Sequence, residues 1–177
     1  MIPSREECLK LMSRFEMLSN IVEHSLVVAR VALYLSKALN EKGQRIEVDL
    51  VEAASLLHDI TKTESLTTRQ DHAHTGSQAL TAMGYGKVAK VVAQHVRMLE
   101  EGNPSTVSEV EVVYYADKRV RHNQIVSLEE RFRDLKDRYG KEEKAILQLE
   151  KLKKATSIVE KKIFSILAAD PEVLQRL

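Results

Sequence analysis

The chain has 177 residues, of which 44% are hydrophobic and 30% are charged, and 27 Lys and Arg nearly balance 26 Asp and Glu. These values predict a globular domain, or one domain with an appendage, that buries a sizeable core. A net charge of +1 gives no overall attraction to nucleic acid or a membrane surface, so we expect neither as a partner. The longest apolar stretch, residues 26–35, is interrupted by Arg30 and is shorter than the ~20 residues that cross a bilayer.

The cysteine content and the start of the chain both bear on location. Cys8 is the one cysteine, which excludes an internal disulfide and is typical of a reducing compartment. The first seven residues show no basic region followed by an apolar run, so no secretory signal is expected. We therefore expect a cytoplasmic protein.

The first helices are predicted from their capping residues. Gly (6) and Pro (3) are few and alternating strand-like runs are missing, so the pattern is helical nearly throughout. Ser4 and Glu7 form a capping box that predicts a first helix to about Met17. Asn20 predicts the cap of a second helix, which carries His24 on its apolar face.

The middle of the chain contains most of the histidines. Asp49 and Glu52 form a second capping box, which predicts a third helix that carries His58. The polar segment 61–70 is predicted to be a loop. Two further helices are predicted, over residues 71–83 and over residues 86–98, the second of which contains His95.

The last part of the chain is rich in charges. The Glu-Gly-Asn-Pro sequence at 101–104 predicts a break, and a helix that carries Asp117 follows it. All six histidines precede residue 123. We therefore expect residues 1–125 to form the chemical core and residues 126–177 a helical extension that packs on the core or at a homodimer interface. Within the extension we predict a helix from Ser127 to Gly140 that Glu130 helps to cap, a long helix over 141–169, and a short helix that begins at Asp170-Pro171.

Three polar side chains are predicted to point towards the interior of the helical bundle. His24, His95 and Asp117 each have apolar residues three or four positions away, on the same helix face. Burying an ionised aspartate or an unpaired imidazole costs several kcal/mol, and a shared metal ion removes that cost. A single inward histidine is more often a hydrogen-bonded core residue, but three such positions beside His58-Asp59 favour a metal site.

Four short segments place histidines and aspartates in a distinctive order. They are Val-Glu-His at 22–24, Leu-Leu-His-Asp-Ile-Thr-Lys at 56–62, His-Ala-His-Thr-Gly at 72–76 and Tyr-Ala-Asp-Lys at 115–118. This order resembles the HD-domain superfamily of metal-dependent phosphohydrolases, with Thr61 where many members have glycine. The resemblance covers about residues 21–121 and implies an all-α fold, an HD-domain helical bundle with a charged C-terminal helical extension.

The resemblance also implies the ligands of a metal centre. Two divalent ions, expected to be Fe or Mn, would be bound by imidazole nitrogens and carboxylate oxygens, with Asp59 bridging both ions. His74 is an alternative to His72, but only His72 has the family spacing to Gly76. The implied ligands are His24, His58, Asp59 and Asp117 for the first ion, and His72, His95 and Asp59 for the second.

The expected reaction is cleavage of a phosphate ester or phosphoanhydride of a nucleotide or dinucleoside polyphosphate by a metal-activated water. The Ala-Asp-Lys motif and the compact length resemble the bacterial hydrolases that split diadenosine tetraphosphate symmetrically. The cyclic-di-GMP phosphodiesterases are less similar, because no Gly-Tyr-Pro follows and a lone His95 replaces their paired histidines. A non-catalytic nucleotide sensor and an RNA-directed phosphodiesterase stay open as alternatives.

Further residues are expected to act on the water and the substrate. Asp59 would orient the water or accept its proton. Lys62, one helical turn after His58, would neutralise a phosphate oxygen, with a solvated loop lysine as the equal alternative. Additional phosphates are expected to be bound by Arg97, Lys118 and Arg121.

Overall fold

The computed structural model describes residues 1–98 and 102–177, and most of these residues are helical. The all-α fold class expected from the sequence is confirmed. In chain order the helices are α1 (Arg5–Arg14), α2 (Ser19–Glu41), α3 (Val48–Leu57), α4 (Lys62–Thr68), α5 (His72–Ala82), α6 (Gly86–Val92), α7 (Glu109–Lys118), α8 (Leu128–Tyr139) and α9 (Glu143–Leu167), with strands β1 (Val120–Arg121) and β2 (Gln124–Ile125) before α8 and a 3-10 helix (Pro171–Arg176) at the end.

Several predicted caps are confirmed. The Ser4 and Ser127 side chains each accept a hydrogen bond from the backbone N–H of the third helical residue, which is a glutamate. The glutamate side chain in turn accepts a hydrogen bond from the backbone N–H of the capping serine. Asp170 caps the terminal segment as predicted, with Pro171 at its first position, although this segment is a 3-10 helix. These caps depend on residues three apart or closer, so the local sequence is sufficient to find them.

Two predicted caps are wrong because distant groups take their place. Helix α2 begins at Ser19 rather than after Asn20, and the N–H of its cap residue Leu18 donates to the Thr63 hydroxyl. Helix α3 begins at Val48 rather than after Asp49, and the N–H of its cap residue donates to a carboxylate of α7. Because these hydrogen-bond partners are 45 and 62 residues away along the chain, the local sequence pattern does not reveal them.

The segment around the central histidines differs from the prediction in two places. Residues 61–70 are not a loop, because α4 occupies most of them and ends at Arg69, which has a left-handed φ of 58°. Helix α6 ends at Val92, so His95 lies in a turn beyond the helix and not inside it. The Val92 carbonyl oxygen, which a continuing helix would bond to the residue four positions on, instead accepts from the backbone N–H and the ring Nδ1 of His95.

A two-stranded hairpin follows α7, although no strand was predicted. Val120 pairs with Ile125 and Arg121 with Gln124, in antiparallel register. Strands of two residues are too short to show an alternating pattern. Of the predicted break at 101–104, residue 101 lies outside the described residues, and residues 102–104 are non-helical as expected.

The core is continuous from α1 to the end of the chain. Helices α2 and α3 pack against each other at its centre, and α7 packs on both. The C-terminal half of α9 contributes Val159, Ile163 and Phe164 to the same core. The boundary expected at residue 125 stays a prediction. No helix among the described residues has the length and apolar composition that a membrane span requires.

Candidate metal centre

Six side chains from separate elements converge at one end of the α2–α3 pair. Five of the six residues are buried, and the sixth, His72, has a side chain that is 23% exposed. The structure therefore brings together all the ligands that the resemblance implies. His24 lies on α2, His58 caps the end of α3, Asp59 follows it, His72 begins α5, His95 lies beyond α6 and Asp117 lies on α7.

Asp59 lies between two groups of histidines. Its Oδ2 is 3.3 Å from His58 Nε2, and its Oδ1 is 3.2 Å from His72 Nε2 and 3.5 Å from His95 Nε2. His72 Nε2 and His95 Nε2 are themselves 3.2 Å apart. One carboxylate therefore contacts both groups with different oxygens, as a bridging ligand would.

Asp117 completes the first group. Its Oδ1 is 3.0 Å from His24 Nε2 and 3.7 Å from His58 Nε2. The ligand atoms of His24, His58 and Asp59 lie within 4.8 Å of one another, and so do those of Asp59, His72 and His95. Atoms bound to one ion at about 2 Å are separated by distances of this order.

Main-chain carbonyls fix the orientation of three imidazoles. A carbonyl oxygen only accepts, so each Nδ1 that contacts one carries a proton, and Nε2 is left to face the centre. Histidines that bind metals usually donate their second ring nitrogen in this way. The Nδ1 atoms of His24, His58 and His95 lie 2.8, 2.7 and 2.7 Å from the carbonyl oxygens of His122, Ser55 and Val92.

Two buried atoms at the centre show that a cation fits there. Among the described residues, neither His58 Nε2 nor Asp59 Oδ1 has a hydrogen-bond partner. The imidazole nitrogens 3.2 and 3.5 Å from this oxygen do not satisfy hydrogen-bond geometry. Buried polar groups without partners are costly, and divalent ions bound to these two atoms would remove the cost.

The electrostatics favour ionised carboxylates at the centre. Burial lowers the pKa of His58, but the charges of Asp59 and Asp117 together outweigh it, so this pKa is raised. Burial raises the pKa of Asp59, but the charge of His58 and the close imidazoles of His58, His72 and His95 together outweigh it and hold this pKa well below its usual range. Burial also raises the pKa of Asp117, but the nearby Lys118 and His24 outweigh this effect and hold the pKa well below its usual range. Burial lowers the pKa of His95, which favours its neutral ring. Both carboxylates are therefore ionised at neutral pH, facing imidazole nitrogens.

A family model for the HD domain matches residues 21–122, which is more than half of the chain and includes all six residues of the candidate centre. The chain belongs to the HD domain family. It is also 28% identical over 143 residues to the uncharacterized protein MJ0778 of Methanocaldococcus jannaschii, covering 73% of this chain and 83% of that protein. No solved structure gives a significant match. The HD domain and its cluster of histidines and aspartates indicate a metal-dependent phosphohydrolase.

Two lysines contact the carboxylates of this HD domain in different ways. Lys118 is buried, and its Nζ donates to Asp117 Oδ2 at 2.7 Å and to the His95 carbonyl oxygen at 2.8 Å. Lys62 donates to Asp59 Oδ2 at 2.7 Å, but its side chain is 39% exposed. Lys118 thus links the two ligand groups from inside, whereas Lys62 lies between a ligand and solvent. A phosphate contact by either lysine stays a prediction.

The two arginines predicted from the sequence make no ion pair with the six residues of the centre among the described residues. Arg97 is exposed and lines a groove against α9, while Arg121 lines a pocket with Arg30 and Glu130. None of the six ligands lines either cavity, and no ion pair among the described residues links either arginine to them. Their roles in phosphate binding stay predictions.

Gly76 and Thr61 set the position of His72. A Cβ at Gly76 would lie 3.3 Å from the Ile60 side chain and 3.4 Å from Thr61 Oγ1, so α5 approaches this segment closely. Thr61 is buried, and its hydroxyl donates to the His72 carbonyl oxygen at 3.0 Å. His74 is exposed on α5, and His72 is the histidine that reaches Asp59.

Two residues around the centre were not predicted from the sequence. His122 has a left-handed φ of 55°, and its contribution is a main-chain carbonyl, which no side-chain pattern indicates. Arg131 lies on α8, in a charged segment of the extension. Asp134, which it contacts, also accepts from Arg138, and Arg138 donates to His122.

Proposed function

We propose that this HD domain hydrolyses a phosphate ester or phosphoanhydride of a nucleotide or dinucleoside polyphosphate at a centre of two divalent ions, Fe or Mn. The position of Asp59 supports this most directly, because its two oxygens contact separate histidine groups. The resemblance of the Ala-Asp-Lys motif favours a dinucleoside polyphosphate that is split symmetrically.

Each proposed ion has a complete set of protein ligands. When bound, the two ions would lower the pKa of a water molecule and neutralise negative charge on the phosphate. The first ion would be held by His24, His58, Asp59 and Asp117, and the second by Asp59, His72 and His95.

Protein side chains would orient the reactants and move the proton. Asp59 is ionised, so it can orient the attacking water by accepting its hydrogen bond, or take up its proton, as the water oxygen forms a bond to phosphorus and the bond to the leaving-group oxygen breaks. Lys62 is close enough to hold the same carboxylate and exposed enough to contact a phosphate oxygen. The two aspartates (−2) and the two lysines (+2) cancel, so the protein groups themselves do not repel an anionic substrate.

The test combines metal analysis with a substrate screen of the full chain. Purified protein is analysed for Fe and Mn, stripped with a chelator, reloaded with each metal and incubated with nucleoside monophosphates, cyclic nucleotides and dinucleoside polyphosphates. We expect two metal equivalents per chain and turnover of one substrate class.

His58→Ala and His74→Ala provide a matched pair of variants. The first removes a buried ligand and should abolish turnover, whereas the second removes an exposed histidine and should leave turnover unchanged. Equal turnover in His58→Ala and the wild type would refute the site. Tight nucleotide binding by metal-loaded protein without any product would instead identify a sensor.

A further inference from the structure

Arg131 is a mostly buried arginine whose guanidinium is incompletely hydrogen-bonded. Its side chain is only 14% exposed, and one terminal nitrogen donates to Asp134 Oδ2 at 3.1 Å. Its buried Nε has no hydrogen-bond partner among the described residues. An unsatisfied buried N–H costs about 1–3 kcal/mol, and an anion would supply the acceptor.

Helix α8, which carries Arg131, is tied to the metal centre through a series of polar contacts. Asp134 also accepts from Arg138 at 2.8 Å, and the same Arg138 nitrogen donates to His122 Nε2 at 2.9 Å. The His122 carbonyl in turn orients His24, a proposed metal ligand. The extension therefore reaches the edge of the HD-domain site and holds Arg131 there.

The unpaired Nε of Arg131 is a buried donor that suits an oxyanion of the substrate. The planar guanidinium also presents paired donors that suit phosphate oxygens.

We infer that Arg131 binds a phosphate oxygen of the substrate at the edge of the metal centre. This inference rests on the proposed function and names the chemical class of the ligand, a phosphate ester or phosphoanhydride. Arg131 lies outside residues 21–122, which match the family model, so the C-terminal extension contributes a substrate-binding residue to the HD-domain site.

The experiment uses the full chain loaded with Mn²⁺ and compares Arg131→Met with Arg133→Met. Arg133 lies on the same helix and is exposed, so its variant is the matched control. Mn²⁺ content, the Kd for inorganic phosphate by calorimetry, and KM and kcat for the substrate identified in the screen are measured. We expect Arg131→Met to keep its Mn²⁺ while its Kd for phosphate and its KM rise at least about tenfold, since a bond to a charged group is worth about 1.5–3 kcal/mol.

Several outcomes would decide the inference. Phosphate affinity in Arg131→Met equal to that of Arg133→Met would overturn it. If the wild type hydrolyses no phosphate compound but its phosphate affinity still depends on Arg131, the proposed function fails and the binding site stands. If Arg131→Met does not fold, Arg131→Gln retains a donor towards Asp134 without the charge. In that variant wild-type phosphate affinity would overturn the inference and a tenfold loss would support it.

Discussion

Two buried polar clusters lie side by side on α7, and they differ in how completely their atoms are hydrogen-bonded. Arg119, two residues after the metal-centre residue Asp117, is fully buried, and each of its three guanidinium nitrogens has an acceptor. At the metal centre His58 Nε2 and Asp59 Oδ1 have none. A complete network stabilises a fold by itself, whereas an incomplete one of the same burial requires a ligand.

The acceptors of Arg119 show what its cluster stabilises. Its Nε donates to the Val126 carbonyl at 2.6 Å and one Nη to the Tyr115 hydroxyl at 2.6 Å, and Glu160 on α9 accepts from Tyr115. The other Nη donates to the Pro171 carbonyl at 3.3 Å. Arg119 therefore connects α7 with three parts of the extension and positions α8 beside the metal centre. Tyr115 itself is fully buried in the core.

Replacing the shared carboxylate should have the largest effect on turnover and on the response to metal. In Asp59→Asn we expect turnover to fall to background, because both proposed ions lose a ligand. An ion at 100 times its dissociation constant stabilises the folded state by about 2.7 kcal/mol, and this increment should disappear. Thermal melting with and without Mn²⁺ measures it, and an Mn²⁺-dependent increase in Tm as large as in the wild type would contradict the bridging role.

Replacing Arg119 should act on stability and not on the response to metal. Arg119→Met leaves buried acceptors unpaired, so we expect the free energy of unfolding to fall by about 3 kcal/mol with or without Mn²⁺. Tyr115→Phe removes one hydroxyl and should cost about 1 kcal/mol. Urea denaturation checks both values. If Arg119→Met abolished the Mn²⁺-dependent stabilisation instead, the two clusters would not be independent.

The smallest effect is expected at Thr61, which lies at the edge of the metal centre. Thr61→Val keeps the shape but removes the hydroxyl that donates to the His72 carbonyl, so the site of the second ion should weaken by about 1 kcal/mol. Calorimetric titration with Mn²⁺ should show weaker binding of one equivalent only, and Thr61→Ser should bind as the wild type does. Equal weakening of both equivalents would argue against separate sites.

The sequence was sufficient where a feature depends on near neighbours or on the family motifs. The apolar faces of α2 and α7 placed His24 and Asp117 inside the bundle, and both are buried. The cap at Ser127 is likewise local. The six ligands came from the resemblance, and the structure brings them together.

The remaining features depend on contacts between distant parts of the chain. Lys118 bonds the carbonyl of a residue 23 positions away, and His24 that of a residue 98 positions away. At the turn beyond α6, the His95 ring Nδ1 donates to the Val92 carbonyl oxygen, a contact that the local sequence pattern does not reveal. Arg131 lies in a charge-rich helix that by itself resembles any solvated surface, so only the packing of α8 distinguishes it.

The carbonyl oxygens of residues 55, 92 and 122, which orient three of the imidazoles, have a consequence for mutational tolerance. Every amino acid supplies the same main-chain oxygen, so no substitution at these positions can delete the acceptor, provided that the backbone keeps its course. The backbone course of the fold therefore sets the orientation of these rings, and the residues at the three supporting positions can vary while the orientation is retained.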